Sequence, residues 1–160
     1  MKVKCLFTSL KDANQNGKGG KLIPDDEYNY ILEVGKEYTV LSLTFLFNDY
    51  YQGILIGLKD DGGVIRKVPM WLLAITDPRP SSFWIGKADE DSFVLKPEEF
   101  YTRCFHDLLT DGEPEYIKLF NQAVEKLEAE FKEPEDPYAW PFEEYKWSTR
   151  QYLTILFKSA

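Results

Sequence analysis

One histidine, two cysteines and no long apolar run define this chain of 160 residues by what they rule out. His106 is the only imidazole, which excludes any metal site built on several histidines and leaves one side chain that titrates unaided near neutrality. Cys5 and Cys104 are too few for a tetrahedral thiolate cage or a disulfide framework, and a chain this long can fold without such staples. No apolar stretch approaches the length of about 20 residues that a membrane-spanning helix needs. Residues Met1–Ser9 interleave lysines with apolar residues and lack the uninterrupted hydrophobic centre of a leader peptide. A cytoplasmic location without membrane association is the expectation.

Motif chemistry is equally sparse. Asn16-Gly17-Lys18-Gly19-Gly20-Lys21 imitates a phosphate loop, but Leu22 stands where the hydroxyl residue belongs and no helix opens behind it. The carboxylates of Asp25-Asp26-Glu27 and Asp89-Glu90-Asp91 fall in loop-forming stretches, where solvated acids belong. Cys104 and His106 are two residues apart in a predicted helix, so their side chains diverge and form no thiolate–imidazole pair. Arg66 and Arg79 read as surface ion-pair partners. No catalytic residue, metal site or cofactor is expected.

What the chain has in excess is aromatic surface and negative charge. Phe, Tyr and Trp make up 16% of residues, enough to close a core and to furnish a partner surface as well. The net charge is −8, and residues 111–145 alone carry three basic against eleven acidic side chains. Such a surface repels phosphate backbones and suits a basic protein partner, so nucleic acid is not an expected ligand.

The local pattern predicts an α+β protein forming a single domain over residues 1–160. Lys2–Ser9 reads as a strand with Val3, Cys5 and Phe7 on one face, and Lys11–Asp26 as a flexible loop punctuated by Gly17, Gly19, Gly20 and Pro24. Gly35 turns the chain into a strand that runs to Phe47, and Tyr51–Lys59 makes another. Asp60-Asp61-Gly62-Gly63 is a hairpin turn leading to Val64–Val68. Trp71–Ile75 reads as a short strand, and Phe83–Gly86 with Phe93–Leu95 as a further hairpin across Ala88–Asp91. The spacing predicts a small, bent antiparallel sheet or a partly open SH3-like barrel. Two helices follow, from Pro97 through Leu109 and from Pro114 to Phe131. In the second, Ile117, Phe120, Val124, Leu127 and Phe131 trace one apolar stripe. Residues 133–146 form a connector rich in proline and aromatics, and Trp147–Phe157 a terminal strand, with Thr154 and Ile155 favouring β over helix.

Val34-Gly35-Lys36-Glu37-Tyr38-x-Val40, Val68-Pro69-x-Trp71, and Ile75-x-Asp77-x-Arg79-x-Ser81-x-x-Trp84, followed by Phe100 and Leu109-x-Asp111-Gly112, resemble a family of small uncharacterised bacterial proteins. The resemblance spans Leu32–Phe131 and implies a cytosolic accessory or immunity-type protein, with no catalytic residues to carry over. On this reading a non-enzymatic protein binds a basic partner through an acidic surface that includes Glu125, Glu128, Glu130 and Glu133. The rival reading is a small enzyme or ligand-binding module with a pocket in the sheet lined by Tyr50, Tyr51, Trp71, Trp84 and His106. The oligomeric state is left open.

Overall fold

Val3 and Cys5 alternate with exposed Lys4 in β1 (Lys2–Cys5), and both are fully buried. In a strand this alternation sends every second side chain to the same face. β1 lies between β2 (Glu37–Thr39) and β6 (Leu73–Asp77), antiparallel to both, in a three-stranded sheet. The computed structural model describes residues 1–15, 28–47 and 52–132. Five further strands form a second antiparallel sheet. They are β3 (Ser42–Phe47), β4 (Gln52–Lys59), β5 (Ile65–Pro69), β7 (Trp84–Ala88) and β8 (Ser92–Pro97), in the order β5-β4-β3-β8-β7. The protein is thus α+β, with two open sheets rather than a closed barrel. The expected terminal strand over 147–157, the 133–146 connector and the phosphate-loop imitation all lie outside the described residues.

Two cores follow from this layout. The first joins the sheets: Val3, Cys5 and Tyr38 from the small one meet Leu43, Ile56, Leu58 and Val68 from the large one. The second gathers Leu41, Phe100, Phe105, Phe120, Val124 and Leu127. It packs at the end of the large sheet where β3, β5 and β7 begin and β4 and β8 finish. Trp84, at the start of β7, touches both cores.

The Asp60–Gly63 turn is as expected, with Gly63 at φ +84° and β4 pairing β5 from Lys59–Ile65 to Leu55–Pro69. Its carboxylates hold it in place. Asp60, with a wholly buried side chain, accepts the Val64 N–H and the Arg66 Nε–H, both at 2.8 Å. Asp61 accepts the Tyr38 hydroxyl at 2.7 Å and pairs with Lys36, which fastens the turn to the small sheet. Arg79 grips Asp77 through Nε at 2.9 Å and through a second nitrogen at 2.5 Å. Both arginines are therefore the ion-pair partners they were expected to be.

Four elements differ from the sequence reading. The single strand expected up to Phe47 is two, β2 in the small sheet and β3 in the large one, because the chain leaves the small sheet after Thr39 and Leu41 turns into the second core. The loop expected from Lys11 begins instead as a helix, α1 (Leu10–Gln15). Ser9 Oγ accepts the Asp12 N–H at 3.1 Å and donates to the Asp12 carboxylate at 2.8 Å, which caps the first turn. Leu10 and Ala13, three apart, are buried by it; the glycines just beyond obscured that spacing. The strand expected over Trp71–Ile75 is a 3-10 turn, Met70–Leu72, followed by β6 from Leu73. This turn sinks Leu72 into the first core and leaves Trp71 at the surface.

The helix expected from Pro97 to Leu109 is broken. A 3-10 turn over Glu98–Tyr101 ends at Thr102, which is not helical; Cys104 is left-handed (φ 57°), and α2 (Phe105–Thr110) then starts. Phe100 and Phe105 are five residues apart and would face different sides of a continuous helix. The break lets both rings enter one core, with centroids 4.9 Å apart.

Helix α3 (Pro114–Glu130) carries the expected stripe with one departure. Phe120, Val124 and Leu127 are buried, as is Phe131 just beyond the helix, but Ile117 is 39% exposed. Phe120 contacts Phe100 and lies under Lys59 Nζ, 5.6 Å from its ring centroid. Phe120→Ala should therefore lower unfolding free energy by about 3–5 kcal/mol, the usual cost of emptying such a site, as read by urea denaturation.

Candidate functional site

The residues proposed for a pocket in the sheet are dispersed. Trp71 sits on its surface turn, Trp84 lies between the two cores, and His106 opens α2. Among the described residues no aromatic ring contact joins the three; His106 meets only Phe105, edge to face at 6.1 Å. The Trp84 Nε1–H is buried without a hydrogen-bond partner among the described residues. Tyr50 and Tyr51 lie outside the described residues, as does Glu133.

The proposed acidic residues divide between two sides of α3. At 100° per residue, Glu125 and Glu128 fall on the solvent side together with Asn121 and the exposed Ile117. Neither glutamate pairs with a cation among the described residues. Asp111, Glu113 and Glu115 are exposed at the turn into the helix. Glu130 points the other way: its carboxylate accepts both the N–H and the hydroxyl of Ser82 at 2.7 Å. Burial pushes the Glu130 carboxyl up, but hydrogen bonds from Ser81 and Ser82 outweigh it and hold it below the ordinary value.

On the Glu130 side, a groove of about 230 Å³ separates α3 from the start of β7. Phe83, Ile85 and Pro97 line one wall, Ala123 and Lys126 the other, and Lys126 Nζ reaches Glu99 at 2.9 Å. Phe83 is 46% exposed. The groove is smaller than the usual span of small-molecule sites, about 300–1,000 Å³.

A third feature is basic, and sequence reasoning missed it. Lys87 and Lys96 lie diagonally across the β7–β8 hairpin, where Lys87 faces Val94 and Ile85 faces Lys96. Both ammonium groups sit over the Tyr101 ring, at 4.2 and 4.3 Å from its centroid. The Tyr101 hydroxyl is held at the Val94 carbonyl (2.6 Å) and the Ile85 carbonyl (3.2 Å), so the ring is tied to both strands. Desolvation, then Lys67 and Lys87, holds the Lys96 ammonium below its ordinary value. Desolvation, then Lys96 and Lys67, lowers the His106 imidazole, while Asp107 opposes this. The signal was available: a hairpin turning at Ala88–Asp91 already puts both lysines on one face.

Among the described residues no group of three or more His, Cys, Asp or Glu side chains is placed to hold a metal, and no helix is long and apolar enough to cross a membrane. No family model, curated protein or solved structure matches the chain.

Two outcomes test this description. Cys5 is fully buried, its thiol donates to the Phe7 carbonyl at 3.4 Å, and burial raises its pKa, whereas Cys104 is exposed. Intact mass spectrometry should show one rapid alkylation in the native protein, at Cys104, and a second only after unfolding. His106 takes up its proton at lower pH in the folded protein than in the unfolded chain. Stability should therefore fall as pH drops through the ordinary histidine value of 6.5, and His106→Gln should flatten that segment of the denaturation–pH curve.

Proposed function

We propose that this is a non-enzymatic, protein-binding protein of the immunity or accessory type, which holds a basic partner on the solvent side of α3. The observation that carries the reading is Ile117. Its position in the apolar stripe calls for burial, yet it is 39% exposed, on the same side of the helix as Glu125 and Glu128. An apolar contact inside a rim of carboxylates is the layout of a protein interface, where the centre buries and the rim stays wet. The surrounding charges, with Asp111, Glu113 and Glu115 at the head of the helix, act mainly on encounter rate and partner choice.

The test uses an immobilised amphipathic peptide of lysine and leucine as a cationic probe at low salt. Glu125→Lys with Glu128→Lys should slow its association about tenfold, since steering by clustered charge is worth 10-fold or more. The melting transition should hardly move, because exposed charges contribute about 0–1 kcal/mol. Ile117→Asp should speed dissociation instead. Association rates indifferent to the double reversal would sink the proposal.

A further inference from the structure

The large sheet carries cations that have no carboxylate partner among the described residues. Five cationic side chains, Lys2, Lys36, Arg66, Arg79 and Lys126, pair with carboxylates. Lys67, Lys87 and Lys96 pair with none among the described residues, as holds also for Lys59 on the same sheet, although the chain has 27 acidic residues against 19 Lys and Arg. Scarcity of carboxylates does not explain this.

Register puts them on one face of the sheet. Lys67 pairs with Gly57 across β5–β4, and Gly57 pairs with Ser42 across β4–β3. One step beyond the Leu43–Leu95 pair, Lys96 continues the same cross-strand row on β8, with Ile85 next to it on β7. Alternation puts this row on the face opposite Ile56, Leu58 and Val68 of the first core. Between the two lysines the row is low. Gly57 has no side chain, and Ser42 Oγ occupies the space a Cβ there would need, 2.0 Å from where it would lie. The Lys67 and Lys96 backbones are three strand spacings apart, about 14 Å, a distance that two long side chains can bridge to a common ligand over that floor. Lys87 enters from the edge strand on the same face, and its ammonium and that of Lys96 both lie against the Tyr101 ring.

We propose that Lys67, Lys87 and Lys96, organised around Tyr101 with His106 beside them, form a binding site for a doubly charged oxyanion of the phosphate-monoester type. Lysine is a compact point charge with three donors and is a habitual phosphate ligand. Donors arriving from β5, β7 and β8 approach from different directions. A tetrahedral oxyanion offers an oxygen to each, which a planar carboxylate does not. Two of the three ammonium groups are held by a ring that is itself fixed to the sheet, so the arrangement precedes the ligand. Burial first, and then the charges of their lysine neighbours, lower both Lys96 and His106, so an anion placed among them relieves part of that repulsion. The site does not involve Ile117, Glu125 or Glu128, so it stands independently of the proposed partner surface.

The test is an amide-resolved NMR titration of the full chain at constant ionic strength, with inorganic phosphate, methyl phosphate and succinate as separate probes. Phosphate and methyl phosphate should shift the Lys67, Lys87, Lys96 and His106 signals along saturable curves, with succinate at least tenfold weaker. Bound dianion should also raise the His106 pKa against the opposing charges of Lys67 and Lys96. Lys67→Ala with Lys87→Ala removes two exposed side chains and should weaken phosphate at least tenfold with an unchanged spectrum elsewhere. Glu125→Lys with Glu128→Lys should leave phosphate binding intact, which separates failure of this site from failure of the α3 surface. Linear, non-saturating shifts, or equal shifts in the lysine double variant, would mean an adventitious ion only and overturn the proposal. So would saturable binding of a short oligonucleotide with inorganic phosphate silent, since that marks a polyanion surface rather than a site.

Discussion

Much of this structure depends on one buried carboxylate. Asp60 closes the β4–β5 turn from inside, receiving the Val64 N–H and the Arg66 side chain where water cannot reach it. Removing one partner of such a group leaves a buried charge uncompensated, typically at a cost of about 3–5 kcal/mol. Its neighbour Asp61 turns outward to Tyr38 and Lys36 and so ties the large sheet to the small one. The two interactions are complementary: one sets the register of β5 on β4, the other sets how the sheets meet. Burial, and the hydrogen bond to Asp61, push the Tyr38 phenol up to about 12, with the Glu33 N–H acting the other way. That hydroxyl therefore stays protonated and keeps donating through the ordinary pH range.

The consequences reach across the sheet. A slip of one residue between β4 and β5 would send Lys67 to the face that holds Val68 and put Val68 in solvent. The correct register puts Lys67 opposite Gly57, and Gly57 opposite Ser42. The cationic row thus inherits its geometry from a turn at the end of the strands. The second core depends on the same end of the sheet, since Ile65 and Lys59, paired across the turn, contact the helical cluster through Ile65 and through Lys59 over Phe120.

Elements with a regular period were legible in the sequence. The β4 and β5 strands, the Asp60–Gly63 turn, the β7–β8 hairpin and the α3 stripe follow from alternation, glycine and the helical repeat, whereas the sequence pattern ran β2 and β3 together. What was not legible was set by contacts remote in the chain. The break before α2 exists because Phe100 and Phe105 must enter one core, and nothing in the local spacing announces it. The split of the strands into two sheets depends on β1 receiving both β2 and β6, partners dozens of residues away. Of the candidate site residues, Glu125 and Glu128 are where helical geometry puts them. Glu130, five positions on from Glu125, turns to Ser82 instead, because its place on the helix wheel adjoins Ala123 and Lys126.

Net charge was the least informative of the sequence measures. A total of −8 argues against phosphate when it is spread over the whole surface, but electrostatic recognition is local on the scale of a Debye length, about 8–10 Å at physiological salt. The excess acid is concentrated from residue 111 onward, whereas the lysine row belongs to strands that end before residue 98. Among the described residues, the exposed acids Asp111, Glu113, Glu115, Glu125 and Glu128 belong to α3 and the turn before it, and the lysine row to the large sheet. Averaging them conceals both, since a carboxylate rim favours cations whatever lies on the sheet, and a lysine row with no carboxylate partner among the described residues favours anions despite the total. The sign that matters for each ligand is the sign within its own screening distance. For Lys96 that sign is positive, because Lys67 and Lys87 add to the desolvation that already lowers its ammonium.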